Sequence, residues 1–478
     1  MSKQLSFVLL ALSGLAGCSF TPHYERPVAP VAASYPGEVS ATDASSAADI
    51  GWRAFFPDPN LQALIATALE NNRDLRVAAL RIEEARAQYG IQSADRWPTV
   101  NAAADASRAR TADALSAGRA NPDTRYAVGL NLAAFELDFF GRVRSLNEAA
   151  LAQYLATREA RQAAQISLVA EVAKAWLTER AYAEQQALAQ KTLQGRESAY
   201  ELAKKRFDVG ASSALDLRLG ETLLQSARVA LATLARQRGQ AENALTLLVG
   251  TPLSALPPVP ALPTQNAVID VPAGLPSDLL ARRPDIRAAE QQLIAANANI
   301  GAARAAFFPR ISLTAGFGTA SDALSGLFSA GTQTWSFAPQ LLLPIFDAGR
   351  NRAYLDLAQV RKNITIANYE KTIQTAFREV ADTLIARTAL DEQVSAQQAV
   401  QRAESERLKL SELRYQNGVD SSLAVLDAER ELFAAEQQLV QTRLLRQVNA
   451  IDLYRALGGG LNETNPGAGN STGRVPPQ

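Results

Sequence analysis

The 478-residue chain has one cysteine, Cys18, one histidine, His23, and one methionine, at its start. A lone cysteine cannot close a disulfide within the chain, and one Cys with one His cannot build a Cys/His metal site. Ser–His or Cys–His catalysis would have to use His23, which sits in a proline-rich segment away from any motif. Lys plus Arg and Asp plus Glu balance at 48 each, so the basic surplus of a nucleic-acid-binding surface is missing. Aromatics make up only 6% of the residues, which argues against a large aromatic core. After the N-terminus there is no apolar run of 18 or more residues, so no transmembrane helix is expected there. The hydrophobic fraction is 47%, and alanine supplies much of it. That composition suits long helices packed closely through small side chains.

The N-terminus bears on the compartment. Lys3 precedes an apolar stretch from Leu5 to Leu15, the pattern of a signal-peptide core and too short to span a bilayer comfortably. It ends in Leu15-Ala16-Gly17-Cys18, which resembles a bacterial lipobox. Residues 1–17 are then a signal peptide, and Cys18 is the first residue of the mature chain, carrying N-palmitoyl and S-diacylglycerol groups. The plainer alternative is an ordinary signal peptide with an incidental cysteine. Ser19 stands where an Asp commonly retains lipoproteins in the inner membrane, which implies the outer membrane. More than one acyl chain gives stable anchoring. Residues 18–58, with Pro22, Pro27, Pro30 and Pro36, read as an extended arm.

The rest of the chain is a tandem repeat. Gly210 and Gly418 stand 208 positions apart, each between two long Ala-rich helical patterns. A glycine there can take positive φ and stop a helix, and the Ser and Asp residues that follow can cap the next one. Gly141-Arg142 and Gly349-Arg350 repeat the same spacing, and Trp97-Pro98 is echoed by Phe308-Pro309. The first repeat covers 59–250, a Pro-rich linker covers 251–276, and the second repeat covers 277–460. Residues 461–478, rich in Asn, Gly and Pro, read as a disordered tail. Each repeat reads as a helix, two strands, a long helix and a shorter one. Helical spacing covers Asn60 to Gly90, and a second helix covers Ser277 to Ala306 with Pro284 in its first turns. The long helices, from Gly141 to about Asp208 and from Gly349 to about Gln416, carry stripes at Ile166, Val169, Ala173 and Trp176 and at Ile373, Phe377, Val380 and Leu384. Some 68 residues at 1.5 Å each make a rod of roughly 100 Å.

The strand candidates alternate apolar with small or polar residues. The weakest is Thr99 to Arg110. In the second, Tyr126, Val128, Leu130 and Leu132 point one way. The third carries Ile311, Leu313, Ala315 and Phe317, and the fourth Trp335, Phe337, Pro339, Leu341 and Leu343. Such strands fit either a surface sheet over a core or a transmembrane barrel, apolar to lipid and polar to the lumen. Four strands cannot close a barrel, and an open edge in lipid is forbidden. If these strands enter a membrane, several protomers share one barrel.

Several motifs now converge. They include the lipobox, Gly51-Trp52 with Phe55-Phe56, Leu69-Glu70-Asn71-Asn72-Arg73-Asp74-Leu75, and Phe135-Glu136-Leu137-Asp138-Phe139-Phe140-Gly141-Arg142. Others are Leu275-Pro276-Ser277-Asp278-Leu279-Leu280 with Arg282-Arg283-Pro284-Asp285-Ile286, Ile300 to Pro309, and Tyr454-Arg455-Ala456-Leu457-Gly458-Gly459-Gly460. With them the chain resembles the outer-membrane factors of tripartite efflux pumps and type I secretion systems, nearest the lipoprotein branch serving resistance-nodulation-division pumps. The resemblance implies a mainly α protein with a transmembrane β-barrel. A homotrimer would form a twelve-stranded barrel in the outer membrane of a Gram-negative bacterium, continuous with a long periplasmic α-helical barrel.

The resemblance also implies a function. The chain would be a passive exit duct for antibiotics and other small molecules, with no chemistry and no cofactor beyond the lipid on Cys18. It would be driven by an inner-membrane proton-coupled transporter through a periplasmic adaptor. Leu423 and Asp427 would ring the periplasmic aperture, and Arg414 and Tyr415 would tie the inner hairpin to its neighbour. Gly210, Ser212, Ser213, Gly418, Ser421 and Ser422 would meet the adaptor. On the residues alone, Asp216 and Asp420 could be simple helix caps and Asp427 part of a solvated helix face. The family's carboxylate partner for the Arg–Tyr pair falls at Tyr182, leaving Glu179 or Glu184 as substitutes. Alternatives are a type I protein-secretion duct, a metal-efflux duct, or a non-conducting coiled-coil scaffold lipoprotein. The scaffold reading leaves the two-faced strands without a use.

Overall fold

The computed structural model describes residues 19–32, 34–35, 47–110, 112, 122–253, 268–269, 271 and 276–464. The signal peptide, Cys18, most of the linker and the tail beyond residue 464 lie outside the described residues. In chain order the elements are α1 (Trp52–Phe55), α2 (Pro59–Asn71), α3 (Arg73–Ala94), β1 (Val100–Ala109), β2 (Asp123–Leu137), α4 (Arg142–Asp208) and α5 (Ala214–Val249). Then come α6 (Pro276–Arg282), α7 (Pro284–Ala305), β3 (Arg310–Ser321), β4 (Gln333–Leu342), α8 (Arg350–Gln416) and α9 (Ser422–Ala456). Helices α4 and α8 each run 67 residues without a break. Among the described residues no helix is long and apolar enough to cross a membrane.

Two stretches read as single helices are each broken. Between α2 and α3, Asn72 leaves the helical region and its amide N–H closes α2 on the Ala68 carbonyl. Its side-chain oxygen then accepts from the Leu75 N–H at 2.9 Å, capping α3, while its Nδ2 donates to the Leu248 carbonyl at 2.8 Å. A side chain that can both cap and donate competes with helix continuation, and spacing alone does not register that. Between α6 and α7 the break falls at Arg283. Pro284 has no N–H to give and disfavours helical geometry in the residue before it, so it opens a new helix instead of sitting inside one.

The chain forms two compact units. One comprises residues 1–28, 81–158 and 288–370, and the other residues 29–80, 159–287 and 371–478. The first contains a four-stranded antiparallel sheet in the order β1-β2-β3-β4. Its register aligns one apolar face across all four strands. Ala102, Leu130, Phe317 and Trp335 form one row, and Val100, Leu132, Ala315 and Phe337 the next. The opposite face carries Asn101, Asn131, Gly316 and Ser336 in one row and Ala103, Gly129, Gly318 and Thr334 in another.

Strand β2 continues past Leu132 through a bulge, with Ala134 at φ 39°. One extra residue reverses the side-chain alternation, so Phe135 and Leu137 stay on the apolar face beside Leu313 and Ile311. The period-2 pattern breaks there, so alternation alone ends this strand at Leu132. The apolar face is bare: Trp335 is 77% exposed, Phe337 62% and Leu130 54%. A sheet covering a core would bury these rings. An exposed face of this kind is the lipid-facing surface of a barrel wall. The strands are 10 to 15 residues long, enough to cross a bilayer at a tilt of about 45°.

The N-terminal arm lies against α4 and α7 in this unit. Phe20 stacks on Phe308 with ring centroids 4.4 Å apart, and Phe308 stacks on Phe140 at 5.1 Å. Thr21 meets the buried Ser145 hydroxyl at 3.0 Å, and a Cβ at Gly301 would collide with it. The Asn297 amide donates to the Pro22 carbonyl at 2.7 Å. Arg26 grips Glu290 through both carboxylate oxygens, at 2.7 and 2.9 Å, and the Tyr24 hydroxyl joins them.

In the second unit, motifs far apart in sequence meet as core. Tyr454 stacks on Phe55 at 3.9 Å, with Phe56 at its edge. All three are essentially buried, and Gly459 leaves no room for a Cβ beside the Tyr454 ring. Arg283, almost fully enclosed, is matched by Asp285, Glu379 and the Ala456 carbonyl. Such pairing is what makes a buried guanidinium tolerable.

Candidate functional site: the hairpin tips

Both turns between long helices end in the same way. At the first, the Gly210 N–H donates to the Phe207 carbonyl and the Ala211 N–H to the Arg206 carbonyl, at 2.9 and 2.7 Å. At the second, Gly418 donates to Tyr415 and Val419 to Arg414, at 3.0 and 2.9 Å. This is the Schellman closure, and it needs the left-handed φ of +74° at Gly210 and +69° at Gly418. Neither glycine would meet a neighbour if it gained a Cβ, so backbone conformation is the constraint.

The helices that follow are capped differently. Ser213 accepts from the Asp216 N–H at 3.1 Å while Asp216 accepts from the Ser213 N–H at 3.3 Å, a reciprocal capping box. In the second copy Ala424 stands where Asp216 would be, and Ser421 makes no side-chain cap bond. Asp420 instead accepts from the Ser421 N–H at 2.9 Å and from Arg414 at 3.1 Å. These two donors, the backbone one first, hold the Asp420 carboxyl below its ordinary range. Of the two possible caps, Asp216 is one and Asp420 ties the turn to Arg414.

The Arg–Tyr pair is divided. Arg414 stays within its own turn, on Asp420. Tyr415 reaches the other hairpin, where its hydroxyl accepts from Arg206 at 2.5 Å. Arg206 is the repeat equivalent of Arg414, 208 positions earlier, a cation where the resemblance implies a carboxylate partner. The duplication held the signal: Arg206-Phe207 and Arg414-Tyr415 are the same position in two copies. Glu179, one of the two candidate substitutes for that carboxylate, is buried against Arg180 and Arg238.

Asp427 lies on α9 and bridges two arginines, each at 2.5 Å: Arg407 of α8 and Arg430 of its own helix. Arg407 also meets Glu404 at 3.1 Å, and Arg430 meets Glu431 at 2.9 Å. The carboxylate is therefore part of a charged lattice across the hairpin. Leu423 is exposed, and so are Val209, Leu215 and Val419. Leu215 and Leu423 are again repeat equivalents. Each tip thus presents bare aliphatic side chains, a surface suited to a protein contact. Ser212 has a buried hydroxyl without a partner among the described residues, and Ser422 opens α9.

A sheet with a bare apolar face and two long helical hairpins defines a barrel-forming membrane protein with coiled-coil extensions. A family model described as outer membrane efflux protein matches residues 64–251 and 275–459. Outer membrane protein OprJ of Pseudomonas aeruginosa is 49% identical over 462 residues, covering 96% of each chain. The antibiotic efflux pump outer membrane protein ArpC of Pseudomonas putida is 47% identical over 468 residues, covering 97% of each. Among solved structures, the open state of the Neisseria gonorrhoeae MtrE outer membrane channel superposes with a TM-score of 0.86. It is 45% identical, and the match covers 94% of this chain and all of that one. The chain belongs to the outer membrane efflux protein family. It is the outer-membrane channel component of an efflux pump, and its fold is the family's combination of β-barrel wall and helical barrel.

Proposed function

We propose that the protein is the passive exit duct of a tripartite multidrug pump, assembled as a homotrimer. The observation that carries the assembly is the sheet: its apolar face is bare, and among the described residues the outer edges of β1 and β4 have no strand partner. Unpaired backbone groups in lipid cost several kcal/mol each, so other copies must supply the missing pairing. Three copies of four strands make a twelve-stranded barrel. One relative is named for antibiotic efflux, which supports antibiotics and similar small molecules as cargo. Energy comes from an inner-membrane resistance-nodulation-division transporter, coupled through a periplasmic adaptor. The duct itself does no chemistry and needs no cofactor.

In this reading the aperture is set by Leu423 and Asp427 of α9, restrained by Arg414 within its turn and by the Arg206–Tyr415 bond between hairpins. Gly210, Ser212, Ser213, Gly418, Ser421 and Ser422 form the adaptor contact, with the bare aliphatic residues of the tips beside them. Deleting the chain should raise intracellular accumulation of several unrelated antibiotic classes. Unchanged drug accumulation together with lost secretion of a protein would replace this reading with that of a type I secretion duct.

Cys18 carries the lipid in this proposal. Phe20, two residues on, is held against Phe308 just before β3, which supports an anchor near the foot of the barrel wall. Cys18→Ser should eliminate labelling by radioactive palmitate. A labelled Cys18→Ser protein would show that the acyl group sits elsewhere.

A further inference from the structure

Arg196, on α4, is only 6% exposed yet has no carboxylate within ion-pair distance among the described residues. Its Nη1 donates to the Leu223 carbonyl at 3.0 Å, and its Nε has no partner. A guanidinium offers five N–H donors, and leaving a buried one so thinly matched is costly. Arg283 in the same unit shows the usual solution, with two carboxylates and a carbonyl around it. Burial accordingly pushes the Arg196 pKa below its ordinary value.

The unmatched cation faces a space. Arg196 lines a groove of about 310 Å³ between the α4–α5 and α8–α9 hairpins. That volume is at the small end for ligand sites, which run from about 300 to 1,000 Å³. Leu223, Val425 and Leu426 give it an apolar wall, and Tyr200 an aromatic one. Two acids are present. Asp216 is committed to its capping box. Glu429 is too far from Arg196 for an ion pair; burial lifts its carboxyl above the ordinary range, and the Arg196 charge offsets only part of that rise.

We propose that this groove binds a small amphiphilic anion, a carboxylate or sulfonate carried on an apolar ring, with the anionic head on Arg196 and the ring against Tyr200, Leu223, Val425 and Leu426. A purely structural role for Arg196 accounts for its bond to Leu223. It does not account for the adjoining cavity or the free Nε. A bound anion would touch α4, α5 and α9 at once and would pin the two hairpins of one chain together. The site stands on these residues whether or not the tips meet an adaptor.

The test is calorimetric titration of the full-length protein in lipid nanodiscs with naphthalene-2-sulfonate. Saturable binding at one per chain is expected. Charge-assisted contacts carry much of it, so Arg196→Met should weaken binding by about tenfold or more, and uncharged 2-naphthol should bind comparably less well. Ala203→Phe fills the groove while keeping the cation, and should abolish binding. If Arg196→Met does not fold, Ala203→Phe and 2-naphthol still decide the matter. Absence of saturable binding, or sulfonate binding undiminished by Ala203→Phe, overturns the proposal.

Discussion

Gly318→Val should lower the amount of membrane-inserted protein by about tenfold or more, because relieving its clash parts two strands whose backbone groups have no other partner in lipid. A Cβ at Gly318 would stand 2.3 Å from the Val128 carbonyl oxygen and 2.6 Å from the Gly129 Cα. Those atoms are backbone of the adjoining strand and cannot swing aside. Gly129 faces the same constraint from the other side, at 2.6 Å from the Phe317 oxygen. The two glycines are direct partners in the register, so β2 and β3 touch backbone to backbone at this point. Gly316→Ala is the control. Its Cβ would meet the rotatable Ser336 hydroxyl at 3.0 Å and the Leu130 carbonyl oxygen at an ordinary contact distance of 3.9 Å, and insertion should stay near wild type. Extraction of membranes with urea, followed by quantification of the pellet, reads both variants. Wild-type insertion of Gly318→Val would show that the close approach is dispensable.

Asp427→Ala is expected to enlarge and recharge the channel. In planar bilayers the conductance should rise by about twofold or more, and the preference for cations should fall. The change removes the tie between α8 and α9 made through Arg407, and in a trimer it removes three carboxylates. The exposed ion pairs contribute little to folding, so the protein should assemble normally. Arg407→Ala breaks the same tie but removes a positive charge. It should also raise conductance, while shifting ion preference the opposite way. Equal shifts in preference from the two variants would assign the effect to loosened packing. An unchanged channel in Asp427→Ala would remove this residue from the aperture.

Much of the architecture was legible because its signals are local. Gly210 and Gly418 announce their turns through a conformation that other residues adopt at a cost, and the 208-residue spacing shows the duplication directly. The long helices begin and end within a residue or so of the limits their periodicity implied. Errors arose where a local pattern had two outcomes. Asn72 sits in helical spacing but caps the next helix, and the bulge at Ala134 hides the last turn of alternation in β2. At the tips, repeat counterparts diverged: Asp216 builds a capping box, whereas Ala424 cannot. The tie between Arg206 and Tyr415 joins residues 209 positions apart, and no window along the chain contains both.

By itself the sequence determined the duplicated order of helices and strands, the two-faced character of the strands and the family. Turn conformation and periodicity depend on a few neighbouring residues, and a one-dimensional pattern records them. Tertiary structure decided which charges meet: Arg414 with Asp420, Asp427 with Arg407, and Arg26 with Glu290, while Arg196 meets the Leu223 carbonyl and, among the described residues, no carboxylate at ion-pair distance. An ion pair depends on helix rotation and register across long separations. Burial then sets whether a charge is screened by water or must find a partner within the protein.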